Sequence, residues 1–387
     1  MFANVFAHGR RAALAGVCSA GLVVAACAAG IASAGAATEQ PQVQAQIRVP
    51  WSQVGPGWQL VEYTTGTPAR HAATTLYLVS TGGVKYPVYS WSASARFAPG
   101  LVDWSGDKTR ALLFSDTGQY EQLNLMTGKL TKITLPADVH LIGYTRPSGL
   151  NLLGTFVNAS GTVSTVSRYS LTGKLTKVID TQHFNGISAV DSADGVTVAV
   201  SAANGLRLVS NAGGVIRKLP VPGTDTHIGC NPIRWWNSGT ILAGCFAPMK
   251  FETTRLWLVP ANGATPTPLT PHHAAPDYGD IDAWRLSSGL YLQSLGACGT
   301  LVLNKENANG TVSKVNVPGT TNDNTRVVTA DGQRLLIWSL TECPGTESLL
   351  WFNPGTHAEQ WLFKAPAGSF GVLGVVPFYT RQNAPAM

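Results

Sequence analysis

The feature that most constrains the fold of this chain is an internal period of about 45 residues. The hexapeptide Thr127–Lys132 recurs without change at Thr172–Lys177, and each copy lies between two short strand-like runs. Turn glycines recur at similar spacings along the whole chain, at Gly82, Gly128, Gly173, Gly213, Gly263, Gly310 and Gly355. A second, interleaved series of turns falls at Gly106, Gly149, Gly195, Gly239, Gly289 and Gly332.

Two turns per period, each flanked by β-branched and apolar residues, indicate about four short strands per repeat. After residue 40 no segment shows a sustained apolar period of 3.6 residues, so we expect almost no helix. Repeats of four strands at this spacing are typical of β-propeller blades. The sequence therefore predicts an all-β fold, a seven-bladed β-propeller of four-stranded antiparallel blades.

The two ends of the repeat region predict how the ring closes. Residues 50–92 supply only the later strands of a blade, and the segment Phe370–Tyr379 has no partner strands of its own. A lone terminal strand would leave an exposed edge that promotes aggregation. We therefore expect Phe370–Tyr379 to complete the first blade, with Gln46–Ser52 as the alternative innermost strand.

The repeats resemble those of the TolB-like, or PD40-type, propellers. Their motif of an aromatic residue, Ser-Pro-Asp-Gly-Lys and an apolar strand is closely matched by Trp104–Lys108 followed by Leu112–Phe114, although the proline is absent. Asp194-Gly195 and Asp331-Gly332 are partial copies, and the periodicity covers roughly residues 50–380. The resemblance implies the fold. It implies little about function, because such propellers serve as binding platforms and as enzymes.

The N-terminus has the pattern of an export signal. Arg10-Arg11 precedes an uncharged run of small and apolar residues, Ala12–Ala26. Cleavage before Cys27, as in a lipoprotein, and ordinary cleavage near residues 34–37 are both open, as are the general and twin-arginine routes. We expect residues 1–36 to be the signal, 37–45 a linker and 46–387 the propeller. The protein is expected outside the cytoplasm or in the cell envelope, and to reach a membrane only through a lipid on Cys27.

Charge excludes several classes of protein. Only 12 % of the residues are charged and the net charge is +6, without any run of like charges. Nucleic-acid binding needs clustered Lys and Arg, and long coiled coils or charge-solvated disordered chains need many more charged residues. We therefore expect no nucleic-acid partner, and we expect a monomer.

Four cysteines lie beyond the signal, and an even number in an exported protein indicates disulfides. The repeat register places all four on the side of the ring that carries the inter-blade loops. Cys230 and Cys245 flank one hairpin, whereas Cys298 and Cys343 occupy matching positions in adjacent blades. The register predicts the pairs Cys230–Cys245 and Cys298–Cys343. A zinc site is the rival interpretation, but the spacings lack short Cys-x2-Cys pairs.

The candidate site residues are histidines and aspartates that recur near the starts of blades. The repeat register places them in inter-blade loops, where imidazoles could bind a ligand or a metal, act as acids and bases, or simply hydrogen-bond within the blade. We assign ligand binding at this surface to His140, His183, His227, His272, His273, Asp277 and Asp280. No catalytic residue, metal or cofactor is assigned.

The absence of known catalytic motifs from the sequence gives the expectation for function. The chain contains no Gly-x-Ser-x-Gly elbow after the signal, and it lacks sialidase-type Asp boxes, a P-loop and a His-Glu-x-x-His helix. We therefore expect a non-catalytic scaffold that recognises another envelope protein or an extracellular ligand through its inter-blade loops. The alternative is a propeller enzyme that uses His and Asp residues of the pore, of the metal-dependent lactonase, lyase or hydrolase type.

Overall fold

A computed structural model describes most of the chain between residues 48 and 378. The described ranges are 48–67, 72–92, 98–115, 117–160, 163–182, 188–224, 229–247, 250–271, 279–296, 300–320, 324–340, 347–366 and 368–378. Within these ranges the chain forms 28 β-strands and no helix. None of the described residues therefore belongs to a helix that could cross a membrane.

The strands form seven groups of four. Blade 1 contains β1 (Gln59–Thr64), β2 (Thr74–Val79), β3 (Lys85–Trp91) and the last strand, β28 (Gly371–Pro377). Blade 2 contains β4 (Gly100–Trp104), β5 (Arg110–Phe114), β6 (Tyr120–Asn124) and β7 (Leu130–Ile133). Blade 3 contains β8 (Val139–Tyr144), β9 (Leu152–Val157), β10 (Ser164–Tyr169) and β11 (Leu175–Gln182). Blade 4 contains β12 (Ala189–Asp191), β13 (Thr197–Ala202), β14 (Gly205–Ser210) and β15 (Val215–Pro220).

The remaining blades follow the same order. Blade 5 contains β16 (Cys230–Asn237), β17 (Thr240–Ala247), β18 (Lys250–Pro260) and β19 (Thr267–Pro268). Blade 6 contains β20 (Asp280–Leu286), β21 (Gly289–Leu295), β22 (Leu301–Glu306) and β23 (Val312–Lys314). Blade 7 contains β24 (Thr325–Asp331), β25 (Arg334–Leu340), β26 (Glu347–Asn353) and β27 (Ala358–Phe363). Within every blade the neighbouring strands are antiparallel, which confirms the predicted fold class.

The C-terminal strand closes the ring. Strand β28 pairs antiparallel with β1, with Leu60 opposite Val376 and Val61 opposite Val375. This confirms the closure predicted for Phe370–Tyr379. The alternative is wrong, because the described residues 48–52 of Gln46–Ser52 form no strand. Closure by the last segment covers the edge that β1 would otherwise expose.

The first strand of each blade lies nearest the axis of the ring. These seven inner strands are β28, β4, β8, β12, β16, β20 and β24. Several of them contact the next inner strand directly: β28 contacts β4, β4 contacts β8, β12 contacts β16, and β24 contacts β28. A side chain on an inner strand can therefore reach the inner strand of the neighbouring blade.

The hydrophobic core lies between the blades. Second strands such as Ala111–Leu113 and Leu335–Ile337 are fully buried, because neighbouring blades cover both of their faces. The outermost strands alternate or are exposed, as in β15. At the turn of the repeated hexapeptide, Gly173 has a φ of +94°, and an added Cβ would lie 2.2 Å from the carbonyl oxygen of Thr134. The repeat therefore requires glycine at this turn.

One predicted disulfide is confirmed. Cys230 at the start of β16 and Cys245 in β17 lie directly opposite each other and are joined by a disulfide. Such a bond indicates that the chain folds in an oxidising compartment. Cys298, Cys343 and Cys27 lie outside the described residues, so the second pair and the lipid anchor stay predictions.

Candidate functional site

Two of the predicted site residues can be located in the structure. His140 is the second residue of β8 and is half-buried, so it lies within an inner strand rather than in the inter-blade loop where the register placed it. Asp280 begins β20 and is buried, and its Oδ1 accepts a hydrogen bond from the Ser294 hydroxyl at 2.6 Å. These two residues belong to blades 3 and 6. The other candidates lie outside the described residues: His183, His227, His272, His273 and Asp277.

A set of charged residues that the sequence analysis did not select crosses the inner strands of blades 5, 6 and 7. Arg234 lies on β16, Asp282 on β20 and Arg326 on β24. We call these three residues the Arg–Asp–Arg cluster. Their spacings of 48 and 44 residues follow the repeat period. Few residues of this chain are charged, so charged residues that recur on inner strands at the repeat spacing are the sequence signal that could have identified the Arg–Asp–Arg cluster.

Arg234 is fully engaged with the protein. Its Nη1 donates to Asp282 Oδ1 and its Nη2 donates to the carbonyl oxygen of Ala283. The guanidinium also lies 5.4 Å from the ring centre of Trp236 and 5.3 Å from that of Trp284. Cation–π contacts and charge-assisted hydrogen bonds of this kind hold a side chain in one orientation. Arg234 therefore fixes the position of Asp282.

Asp282 has one anchored oxygen and one free oxygen. Its Oδ1 accepts hydrogen bonds from Arg234 and, at 2.7 Å, from the backbone N–H of Ala283. Its Oδ2 makes no hydrogen bond to any described residue, and 24 % of the side chain is exposed. Burial raises the pKa of the Asp282 carboxyl, and the attraction of Arg234 offsets this only in part. The carboxyl is thus partly accessible to solvent.

Arg326 is the second cation of the cluster, and no hydrogen bond joins it to the described residues. It lies opposite Trp338 in the pairing of β24 with β25, and its guanidinium is 5.8 Å from the ring centre of that tryptophan. The residue is exposed. Burial of the guanidinium nevertheless lowers the pKa of Arg326, and Asp282 offsets part of this effect.

A second charged set crosses the inner strands of blades 2, 3 and 4, and we call it the Asp–Arg–Asp cluster. Arg146, just after β8, donates through Nη2 to Asp103 Oδ1 at 2.9 Å and through Nη1 to the carbonyl oxygen of Trp104 at 3.1 Å. Its backbone N–H donates to Asp191 Oδ2 at 3.0 Å. The Asp–Arg–Asp cluster therefore joins three consecutive blades.

The two clusters differ in how open their carboxyl groups are. Burial raises the pKa of Asp191 to about 6, and its Oδ1 is enclosed without a hydrogen-bond partner among the described residues. Asp191 is only 7 % exposed. The Asp282 side chain is therefore more accessible to solvent than Asp191. Among the described residues no three His, Cys, Asp or Glu side chains are grouped so as to hold a metal ion.

Comparison with known proteins supports the fold. The sequence matches no protein-family model, and no curated protein is similar to it. A structure of prolyl endopeptidases has a TM-score of 0.51 and 11 % identity, over 83 % of this chain and 51 % of that one. A putative TolB from Agrobacterium tumefaciens has a TM-score of 0.40 and 16 % identity, over 66 % and 87 % of the two chains. The fold is that of a β-propeller. The chain spans about half the length of the endopeptidase.

The expectation of a non-catalytic scaffold is wrong. Propellers similar to this chain include the prolyl endopeptidases. The scaffold was inferred only from missing catalytic motifs, and a propeller of similar fold within an enzyme overturns that exclusion. A putative 6-phosphogluconolactonase from Bacteroides fragilis has a TM-score of 0.45 and 16 % identity over 85 % of this chain and 99 % of that one. At these identities the likeness itself shows only the fold.

Proposed function

We propose that the protein is an acid–base enzyme of the lyase or hydrolase type, with its reaction centre at the Arg–Asp–Arg cluster. The observation that carries this proposal is the state of Asp282. One of its oxygens is held by Arg234 and Ala283, while the other makes no hydrogen bond to the described residues and the side chain remains partly exposed. A fixed carboxylate with one free oxygen has the geometry that a general base requires.

The surrounding charges define what the centre can do. Asp282 Oδ2 would accept a proton from a substrate, or from a water that attacks it. Negative charge that develops on the substrate would lie near Arg326, whose exposed guanidinium has free N–H donors. Fixed cations aimed at developing charge stabilise a transition state, because no solvent must reorganise when the charge forms.

Turnover of a defined panel of substrates tests this function. The panel contains a prolyl peptide and 6-phosphogluconolactone, which are the chemistries named for the similar propellers, together with oligogalacturonate as a substrate for elimination. We expect the purified mature protein to turn over at least one of them. Asp282→Asn, which keeps the shape and an acceptor oxygen for Arg234, should reduce kcat by about 100-fold or more.

The matched control is Asp191→Asn. Asp191 is also an inner-strand carboxyl with a raised pKa, but its free oxygen is enclosed. Its replacement should leave turnover unchanged. If no substrate is converted, or if both variants lose activity equally while their melting temperatures match that of the wild type, Asp282 is not the reaction centre.

We also propose that the protein works outside the cytoplasm. The Cys230–Cys245 disulfide and the export-signal pattern before residue 37 support this location. Lipid attachment at Cys27 and free secretion are separated by mass spectrometry of the mature N-terminus. A diacylated Cys27 identifies a lipoprotein, whereas a peptide that begins near residues 34–37 eliminates the anchor. A full-length cytoplasmic protein contradicts the proposal.

A further inference from the structure

The exposed apolar side chains of this protein are concentrated on two neighbouring blades. Among the described residues nine large hydrophobic side chains are exposed, and six of them belong to blades 3 and 4. Five of these six, each between 44 % and 61 % exposed, lie on the outermost strands β11 and β15 or in the turn after β12: Leu175, Val178, Val196, Val215 and Ile216. Exposed apolar side chains that are grouped rather than scattered mark a surface that contacts another molecule.

The turn between β14 and β15 brings these residues together across the boundary of blades 3 and 4. The backbone N–H of Asn211 in this turn donates to the carbonyl oxygen of Val196 at 2.9 Å. The backbone N–H of Gly214, in the same turn, donates to the carbonyl oxygen of Ile179 on β11 at 3.4 Å. Three adjoining segments thus carry exposed apolar residues at these contacts, namely Val178, Val196 and Val215.

Basic side chains alternate with the apolar ones on the same two outer strands. Lys174 and Lys177 lie beside and on β11, and Arg217 and Lys218 lie on β15. All four are exposed, and the ion pairs between described residues include none of them. One carboxylate, that of Asp194, borders them. We call the five apolar and four basic residues the blade 3–4 patch, and its net charge is positive.

Protection of the strand edges does not explain this composition. In the described sheets β11 pairs only with β10, and β15 pairs only with β14, so each strand has a free edge. Lysines on such an edge hinder its pairing with another chain. Exposed Leu, Val and Ile on the same edge favour association instead. The blade 3–4 patch therefore has the composition of a contact surface.

We infer that the blade 3–4 patch binds the surface of an anionic lipid bilayer. The inference goes beyond the proposed acid–base function and does not depend on it. It departs from the expectation that only a lipid on Cys27 brings the protein to a membrane. The aliphatic side chains would enter the boundary between headgroups and acyl chains. The basic side chains would lie among the anionic headgroups, which attract each of them.

The residue types of the blade 3–4 patch favour a bilayer over other anionic partners. Protein interfaces are rich in Tyr, Trp, Phe and Arg and poor in Lys, whereas the apolar residues here are all aliphatic and three of the four cations are lysines. A soluble polyanion would neutralise the cations but leave the aliphatic side chains in water. A bilayer offers anionic groups and an apolar layer next to each other, so it satisfies both sets of side chains.

Co-sedimentation of the mature protein with lipid vesicles tests the inference. One set of vesicles contains about 30 % phosphatidylglycerol in phosphatidylcholine, and the other contains phosphatidylcholine alone. Titration with each lipid gives a partition coefficient, and the ratio of the two coefficients cancels the contribution of any lipid on Cys27, which both vesicles would bind. We expect a ratio of at least about tenfold in favour of the anionic vesicles at low salt, and a much smaller ratio at high salt.

Two double variants separate the basic from the apolar contribution. Lys177→Gln with Lys218→Gln should lower partitioning into the anionic vesicles by about 10- to 30-fold, at about fivefold for each basic residue. Val196→Ser with Ile216→Ser should lower it by a similar factor of about 10- to 30-fold, because two aliphatic side chains no longer leave water. All four residues are exposed, so the melting temperatures of both variants should match that of the wild type.

The matched controls make the same changes elsewhere on the ring. Lys85→Gln with Lys364→Gln removes two exposed lysines from blades 1 and 7, and Val312→Ser removes an exposed valine from blade 6. The lysine control changes the net charge by the same amount as the patch variant. Both controls should partition like the wild type.

Equal partitioning of the wild type into the two kinds of vesicle overturns the inference. An equal loss in the lysine control also overturns it, because binding would then depend on net charge alone. If only the lysine variant of the blade 3–4 patch loses binding, the surface fits a soluble polyanion and not a bilayer. A dimer in analytical ultracentrifugation that Val196→Ser with Ile216→Ser abolishes would assign the patch to a second copy of this chain. None of these results requires turnover, so they stand apart from the test of Asp282.

Discussion

The backbone N–H of Arg146 donates to Asp191 Oδ2 at 3.0 Å and joins the inner edge of blade 3 to that of blade 4. The same arginine reaches back through its side chain to Asp103 in blade 2. One residue thus holds three blades together through two aspartates. The bonds of Asp191 are too few to offset its burial, and for this reason its pKa lies at about 6.

Asp191 should make the protein less stable as the pH rises. Its folded-state pKa of about 6 exceeds the ordinary value, so the folded protein retains this proton when the unfolded chain has lost it. The free energy of unfolding should fall between pH 4 and pH 6 by up to about 3 kcal/mol from this group. Asp191→Asn should flatten that part of the profile, as measured by urea unfolding at several pH values.

Asp107 provides a control of opposite sign. Burial alone would raise the pKa of Asp107, but hydrogen bonds from Ser105 and Thr109 and the charge of Arg110 hold it below the ordinary value. Its ionised form therefore stabilises the fold, and this contribution is lost as the pH falls. Asp107→Asn should weaken the protein more at pH 7 than at pH 3. An unaltered profile for Asp191→Asn would show that this carboxyl is not the source of the pH dependence.

Gly106 should be intolerant of any side chain. A Cβ at this position would lie 1.6 Å from the carbonyl oxygen of Pro147 in the next blade. Since backbone atoms cannot move aside cheaply, Gly106→Ala should cost about 2 kcal/mol or more. Gly55→Ala is the control, because nothing lies within 4 Å of its added Cβ. Chemical denaturation of both variants measures the difference, and equal stability contradicts the packing between these turns.

The disulfide in blade 5 should contribute substantially to stability. It links Cys230 and Cys245 across a separation of 15 residues, and both residues are buried. Cross-linking a loop of this size restricts the unfolded chain, so replacing both cysteines with alanine should cost about 2–4 kcal/mol. For the wild type, the free energy of unfolding in urea should be lower under reducing than under oxidising conditions by the same amount. Equal free energies of unfolding under the two conditions would mean that the disulfide does not form in solution.

Much of the architecture could be predicted from the sequence because it depends on local patterns. Turn glycines and apolar runs repeat with every blade, and they sufficed to predict four strands per blade and closure by the C-terminal strand. The Cys230–Cys245 bond followed from the same register. Each of these features requires only that a residue be assigned to a strand or a turn.

The Arg–Asp–Arg cluster could not be predicted in this way, because it depends on contacts between blades. The register of β20 shifts between Asp280 and Asp282, and that of β24 shifts between Val327 and Thr329. A bulge changes which face of the sheet the neighbouring side chains occupy. Single-residue shifts of this kind leave no sign in the sequence. A search for charged residues at inner-strand positions, at the repeat spacing, would have found the three residues without showing that they meet.

The pH dependence of kcat/KM tests most directly whether Asp282 is the reaction centre. With whichever substrate of the panel is converted, the wild type should gain activity as Asp282 loses its proton, with a midpoint above the ordinary value of about 3.9 for an aspartate. This rise should vanish in Asp282→Asn and persist in Asp191→Asn. A rise that persists in Asp282→Asn with the same midpoint would contradict the assignment.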